Sequence, residues 1–464
     1  MKRSSRIHVR HVLAAAIAGV FALPLAAQAA KGPTHEQQLE ARVAQLEAEL
    51  AAIRDEIHAQ QRTVEQVAQQ QAAAPPPPPP PPKEEPKSPV FTTAKGISVA
   101  LHGFVNANAF SQNRAFTFGN GSNAEYPVVG NKGTLSGFDI RNTRFWLDFS
   151  GAQFNESWSG GGRIEMDFFG GFNGTGGYSG QQPVPRLRQA YMDIANADSG
   201  SRVRVGQQWD LMFPLDNVPT SITHVAFPLG FGAGFVGWRF PGVVWMQDLN
   251  HGGDGPQWRV DVGAFQGSWN GPGSTVDSLT AGNVDFQPQL EARLRVAGGN
   301  WVAYAVGHYS KIDLRGVDGA APTPIKSELD STGFEVGGQW KPGAWTFKGL
   351  VYTGNGLGEI FGNLSQFGDI SETGGFVQAG YNFTKNWSAN VFYAIAKSDR
   401  DDVALWAPTS GKLKSRQAAL NLLYTSGPYQ LGVEWMHDNL DTLGADATKK
   451  TSGNQVSVSA QYTF

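Results

Sequence analysis

From about residue 91 to its end the chain is a succession of short runs in which apolar and polar side chains alternate, about sixteen of them. The connectors between runs are by turns short and long. The runs cover residues 97–106, 140–149, 162–168, 186–194, 202–208, 236–247, 258–265, 290–296, 301–309, 334–340, 345–352, 375–383, 387–395, 417–424, 429–435 and 456–464. Period-two alternation calls for strands with one apolar and one polar face. Short turns at 297–300, 341–343, 384–386 and 426–428 alternate with long connectors at 107–139, 209–235, 311–333 and 438–454. A soluble sandwich has no reason to segregate its loops in this way, whereas a barrel that crosses a membrane presents turns to one compartment and loops to the other. The expected fold class is all-β: a transmembrane antiparallel β-barrel of about 16 strands.

The first residues place such a barrel outside the cytoplasm. Lys2, Arg3, Arg6 and Arg10 precede an apolar run at 12–25 and the small residues Ala27-Gln28-Ala29, so residues 1–29 read as a secretory signal peptide. No later stretch reaches the roughly 18 apolar residues a spanning helix needs, so any span is made by strands. With no cysteine in 464 residues, disulfides, thiolate metal sites and thiol nucleophiles drop out. A net charge of -3 names no nucleic-acid partner. The last ten residues, 455–464, alternate without a break and stop on Phe464, as the closing strands of bacterial outer-membrane barrels do.

Between signal and barrel lie two further zones. In residues 30–72 the apolar positions Leu39, Val43, Leu46, Leu50, Ile53, Ile57, Val64 and Val67 step by four and three, interrupted by the polar Gln60. This is a coiled-coil seam, and isoleucine at both seam positions leans toward more than two strands; a trimer is expected. Residues 73–90 form a proline-rich linker, with eight consecutive prolines at 75–82 that hold an extended polyproline spacer. The barrel occupies 91–464. Both ends of the barrel fall on the short-turn side, so the helix is expected in the periplasm.

On several strands one face is apolar and the other charged, as in Ile164, Met166 and Phe168 against Arg163, Glu165 and Asp167. A basic residue facing lipid at the bilayer midplane costs about 2–4 kcal/mol, so the charged face lines the lumen. Strand parity gives a pore-lining set of Arg144, Arg163, Arg202, Arg204, Arg239, Arg259, Arg293 and Arg295, with Arg186 and Arg188 ambiguous in parity. Asp148, Glu165, Asp167, Asp261 and Glu291 share that wall. Guanidinium groups pair with carboxylate or phosphate through two parallel hydrogen bonds, so a basic surplus favours organic anions. The alternative keeps the arginines as one side of a transverse field opposed by acids on a constricting loop, with weak selectivity. Trp301, Trp340, Trp345, Trp387, Trp435 and Tyr462 stand at ends of runs, as interfacial girdles do. The third long connector, 209–235, is rich in glycine and proline and is expected to fold inward; Asp210, Asp216 and His224 are its constriction candidates.

These parts together resemble the DcaP-like trimeric porins. The resemblance rests on the coiled coil, the linker, the strand count and the runs Asp139-Ile140-Arg141-Asn142-Thr143-Arg144-Phe145, Arg186-Leu187-Arg188-Gln189-Ala190-Tyr191 and Arg202-Val203-Arg204-Val205-Gly206-Gln207-Gln208-Trp209. It implies passive uptake of dicarboxylates and other small organic anions through a homotrimer in the Gram-negative outer membrane, held by barrel contacts and bundled helices. The proline run at 75–82 has no counterpart in the family pattern. No GxSxG or HExxH motif is present; no catalytic residue, metal site or cofactor is expected. A structural role, with the barrel anchoring an envelope tether, is the remaining alternative.

Overall fold

In a barrel set in lipid the usual pattern of burial is inverted, with apolar side chains outermost, and the strands of this protein show it. The computed structural model describes residues 42–44, 47–48, 51–52, 54–55 and 58–59. From 90 to 464 it describes all but 94–95, 118, 131, 173–178, 271–274, 277–287, 315–324, 366, 410 and 445–446. Two units are distinguished, Met1–Glu85 and Pro86–Phe464. In the first, the described positions are helical and exposed. Among the seam residues they include Val43, 53% exposed. The signal peptide at 1–29, the other seam residues and the linker at 73–89 lie outside the described residues.

The second unit holds sixteen long strands. β1 (Ser98–Gln112), β2 (Arg144–Gln153), β3 (Trp158–Asp167) and β4 (Arg186–Asn196) come first. β5 (Ser201–Trp209), β6 (Arg239–Asp248), β7 (Gln257–Phe265) and β8 (Gln289–Ala297) follow. β9 (Trp301–Asp313), β10 (Glu328–Trp340), β11 (Trp345–Asn355) and β12 (Ser371–Asn382) continue the wall. β13 (Trp387–Ser398), β14 (Lys412–Ser426), β15 (Tyr429–Thr442) and β16 (Lys449–Thr463) complete it. Each pairs antiparallel with its neighbours, and β16 returns to β1 with Phe104 opposite Thr463 and Gln112 opposite Gln455, so no edge is left open. At this seam the backbone of Phe464 exchanges hydrogen bonds of 3.0 and 2.9 Å with Gly103. A Cβ on Gly103 would stand 2.7 Å from the Phe464 ring, so glycine there leaves the terminal aromatic its seat. A short strand, Val90–Thr92, lies along the start of β1, one residue earlier than the boundary read from composition.

Outward positions form the lipid belt: Leu290, Leu294, Val336, Val351, Val377, Val391, Leu420, Val433 and Val458 are all exposed. At the short-turn end the belt is bounded by aromatics in contact around the wall. Trp301 faces Trp340 across β9 and β10, and ring centroids lie 4.7 Å apart for Trp345 and Tyr381, 4.9 Å for Trp387 and Tyr424, and 5.0 Å for Tyr429 and Tyr462. Trp435 departs from the expected girdle. It stands midway along β15, which runs on to Thr442.

The long connectors are shorter than alternation suggested. β9 and β10 reach Asp313 and Glu328, and β15 and β16 reach Thr442 and Lys449. Beyond the lipid belt the outward face of a strand meets water while its inward face stays buried, so pairing continues while the outward apolar signal that marks it stops.

Candidate functional site

Two halves of the inner wall differ in chemistry, and the third long loop, residues 210–238, covers one of them. On β9 to β13 the inward side chains include Val302, Tyr304, Val306, Leu350, Tyr352, Phe376 and Phe392, all buried. These inward faces are apolar, unlike the charged lumen face read from the sequence on several other strands. These positions are apolar because the loop lies on them: Met212, Phe213, Phe227, Leu229, Phe231 and Phe235 belong to the same cluster. Phe235 meets Phe376 with ring centroids 5.7 Å apart. The loop thus carries its own apolar core into the barrel.

Its polar atoms are fastened to the wall around an arc. Asp210 closes the base, accepting the N–H of Phe213 at 2.8 Å and of Trp238 at 3.0 Å. Lys348 on β11 donates to the Val218 carbonyl at 2.6 Å. Gln378 on β12 and Asn421 on β14 both donate to the Thr220 carbonyl. His224 Nδ1 lies 2.7 Å from Glu434 on β15. Asn106 on β1 donates to the Ile222 carbonyl at 2.9 Å. Asn142 donates to Thr223 O and accepts from Ala226 N, bringing the loop to the foot of β2.

The wall from β2 to β6 carries seven of the ten predicted arginines. Arg163 is held by Asp148 through two bonds of 2.7 and 2.9 Å, and Arg204 by Asp193 at the same distances. Arg186 and Arg188 both donate to Asp167, at 2.7 and 2.6 Å, and Arg188 also reaches Glu165 at 2.5 Å. Arg144 is 3.7 Å from that Glu165, and its Nε is buried without a hydrogen-bond partner. Arg239 makes no ion pair among the described residues, and its Nη1 has no partner. Indoles hold it in place: its guanidinium carbon is 4.8 Å from the Trp209 ring and 4.2 Å from Trp238. Arg188 also lies over Trp209 and Arg186 over Trp238, so the three cations share one aromatic bracket.

The ambiguous parity of Arg186 and Arg188 has a structural cause. The register between β3 and β4 slips between Glu165 and Met166, leaving Arg188 as the extra residue of a β-bulge. Arg186, Arg188 and Gln189 therefore all turn from the lipid, and only Leu187 between them is exposed.

Of the other predicted residues, Arg202 stands at the short-turn rim of β5, exposed and without an ion pair among the described residues. Arg259 and Arg293 share Asp261, at 2.8 and 2.7 Å. Arg295 is held by Asp216 through bonds of 2.5 and 2.8 Å. Burial alone would raise the Asp216 carboxyl, but Arg295, with Arg293 and Arg259 beyond it, keeps it below the usual range.

Two of the three constriction candidates are buried, and the third, Asp216, is 32% exposed and paired. Asp210 and His224 are 1% and 2% exposed and fasten the loop, and Asp216 is spent on Arg295. Near an apolar wall, the few polar groups of a loop are drawn to the anchors that satisfy them. The loop's contribution to the passage is apolar. A cavity of about 320 Å³ lies between Leu215, Val218, Val225 and Pro228 on the loop and Arg144, Arg163, Arg188 and Arg204 on the wall, with Trp146 and Tyr191. The aromatic bracket and Lys348 were not singled out from the sequence. The clue to the loop was its own composition, since phenylalanines at 213, 227, 231 and 235 do not suit a solvated loop.

A second connector, residues 356–370, presses on the loop. Phe361 and Gly362 accept the N–H of Gly237 at 2.9 Å and of Gly232 at 2.7 Å, and Phe361 stacks near Trp238. Glu359 in this connector is buried, and desolvation pushes its carboxyl from an ordinary 4.5 up to about 7. The folded clamp therefore holds a proton that the detached clamp releases. Its contribution is complete below pH 4.5 and is lost as pH rises to about 7, a change of about 3 kcal/mol. After correction for intrinsic exchange, amides of 356–370 and 230–238 should exchange faster at pH 8 than at pH 5. Glu359→Gln should remove that difference, and an unchanged pH response in the variant would exclude Glu359 as its source.

No protein-family model matches the chain, and no curated protein matches it. Solved structures do. The crystal structure of the outer membrane channel DcaP of Acinetobacter baumannii aligns over 81% of this chain and 99% of that one, at 23% identity and a TM-score of 0.61. OmpT of Vibrio cholerae covers 81% of this chain and 100% of its own at 14% identity, with a TM-score of 0.51. Salmonella typhi OmpF, in complex with daunomycin, gives the same coverages at 12% identity and the same TM-score. At these identities the likeness is one of fold: a closed antiparallel barrel of sixteen strands, and the fold that the sequence resemblance implied.

Proposed function

We propose that the protein is an outer-membrane porin through which small hydrophilic solutes diffuse passively, and that the passage favours organic anions such as dicarboxylates. The observation that carries this reading is the asymmetry of the constriction. Four guanidinium groups with the single carboxylate of Glu165 line a cavity whose loop side, Phe213, Leu215, Val218, Val225 and Pro228, is apolar. A carboxylate can exchange onto Arg144, which lines the cavity and stands 3.7 Å from its nearest acid, while the hydrocarbon of the same solute passes along Val218 and Val225. Water in the channel keeps each contact weak, so the solute leaves.

A transverse field of the general-diffusion kind needs acids on the loop side. Asp210 is buried at the base of the loop and Asp216 pairs with Arg295 away from the cavity, so no loop acid opposes the arginines that line it, which favours anion preference there. The trimer and the tether reading rest on the heptads at 39–67, and the periplasmic position of the helix on both barrel ends falling on the short-turn side. Catalysis has no motif to support it.

The test is the reversal potential of the full chain in a planar bilayer under a KCl gradient, with liposome swelling in succinate against a neutral solute of equal size. Potentials on the anion side and faster swelling in succinate are expected. Cation-side potentials would overturn the selectivity, and a closed bilayer would overturn the pore.

A further inference from the structure

Arginines are not the whole of the basic face on β1 to β5. His102 shares the inward face of β1 with Phe104, which lines the cavity. Opposite His102 in register is Trp146 on β2, and the imidazole stacks on that indole with ring centroids 5.5 Å apart and planes 16° from parallel. The guanidinium carbon of Arg163 lies 5.4 Å from the same ring. His102 Nε2 is 3.5 Å from a carboxylate oxygen of Asp148, the acid that holds Arg163 through two bonds. One carboxylate thus serves an imidazole and a guanidinium.

The same level continues as a hoop around the wall. Asp148 faces Arg163 across β2 and β3, Arg163 faces Tyr191 on β4, and Asp193 faces Arg204 across β4 and β5. Two carboxylates and two guanidinium groups cancel. With His102 they are 17% to 34% exposed, so water and solutes in the passage reach them. The neighbours add fixed charges. Glu165 stands opposite Trp146 and 3.7 Å from Arg144, and the carboxylate of Phe464 accepts the N–H of Gly103 at 3.0 Å. Carboxylates and guanidinium groups as classes keep their charges between pH 5 and 8, tyrosine stays neutral, and histidine is the side chain that changes.

We propose that His102 is a specificity-determining residue of the passage, a charge that appears on the lumen wall as pH falls from 8 to 5 and strengthens anion preference. The inference rests on the porin reading above. Protonation adds one positive charge to a hoop whose other charges cancel. The imidazolium competes with Arg163 for Asp148, which leaves guanidinium donors to the cavity that Arg163 lines.

Reversal potentials of the full chain in a planar bilayer under a KCl gradient, taken at pH 8 and pH 5, test it. The anion-to-cation permeability ratio should be about threefold higher at pH 5. H102Q should hold the ratio near its pH 8 value throughout, and H102R near its pH 5 value, opposite outcomes that a loss of packing alone does not produce. His251, 3.6 Å from Asp248 at the short-turn rim, supplies the control, and H251Q should keep the wild-type response. Tryptophan fluorescence in detergent reads the imidazole without any conductance, because an imidazolium stacked on an indole quenches its emission. Emission should fall between pH 8 and pH 5 by more in the wild type than in H102Q. A ratio independent of pH, or a response in H102Q equal to wild type, would overturn the role of His102 and leave the pore standing. Absence of wild-type conductance with the fluorescence difference present would overturn the pore and leave the titrating imidazole in place.

Discussion

Arg188→Leu should shift the proposed anion preference of the passage toward cations and loosen the wall that lines it. Arg188 is 1% exposed and bridges two carboxylates, Glu165 at 2.5 Å and Asp167 at 2.6 Å. Losing one partner of a buried ion pair costs about 3–5 kcal/mol, because the remaining charge stays behind unpaired. Asp167 would keep Arg186, and Arg144 at 3.7 Å would be drawn toward Glu165, so the one incompletely paired guanidinium group that lines the cavity would be spent on a local acid. The anion-to-cation permeability ratio from reversal potentials should fall about tenfold, equivalent to about 1.4 kcal/mol. E165Q combined with Arg188→Leu removes one acid with the base and should restore part of the ratio. A ratio unchanged in the single variant would mean that the bulge arginine does not set the field.

That residue also marks where the sequence could be read and where it could not. Each of the sixteen expected runs overlaps one observed strand, because a strand with lipid on one side and an aqueous lumen on the other has to alternate. The signal fails wherever one of those two surroundings changes. At Ser310 to Asp313 and Glu328 to Ser331 the outside is water, so pairing continues unannounced. Along β11 and β12 the inside is a packed loop, so Leu350, Tyr352 and Phe376 face inward as apolar residues and parity alone would assign them to the lipid. At Arg188 one extra residue reverses the parity, and no local composition distinguishes a bulge from a regular strand. The site followed the same division. Arginines on regular strands could be placed, whereas Asp210, Asp216 and His224 were selected for being titratable in a loop, and what decides their role is the anchor each meets across the barrel.

The loop's seat on β12 requires a glycine at 234. Gly234 has φ +136, and a Cβ there would stand 2.3 Å from the Gly375 carbonyl oxygen on β12. Gly234→Val therefore meets a backbone atom that cannot move aside and adopts a φ that β-branched residues avoid. Segment 230–236 should lift from β12, breaking the bonds from Gly230 N to Gln417 and from Gly232 N to Gly362 O while leaving the strand ladder intact. Single-channel conductance should rise about twofold, with larger current noise, since the loop narrows the passage that the wall alone leaves wide. Anion preference should weaken less than in Arg188→Leu, because the guanidinium groups keep their places. Gly130→Val is the control. It shares a positive φ of +79, but nothing lies within 4 Å of its Cβ position, so it imposes the backbone strain without the collision. Equal conductance changes in the two variants would assign the effect to general strain; a change confined to Gly234→Val would assign the width of the pore to the seating of the loop on β12.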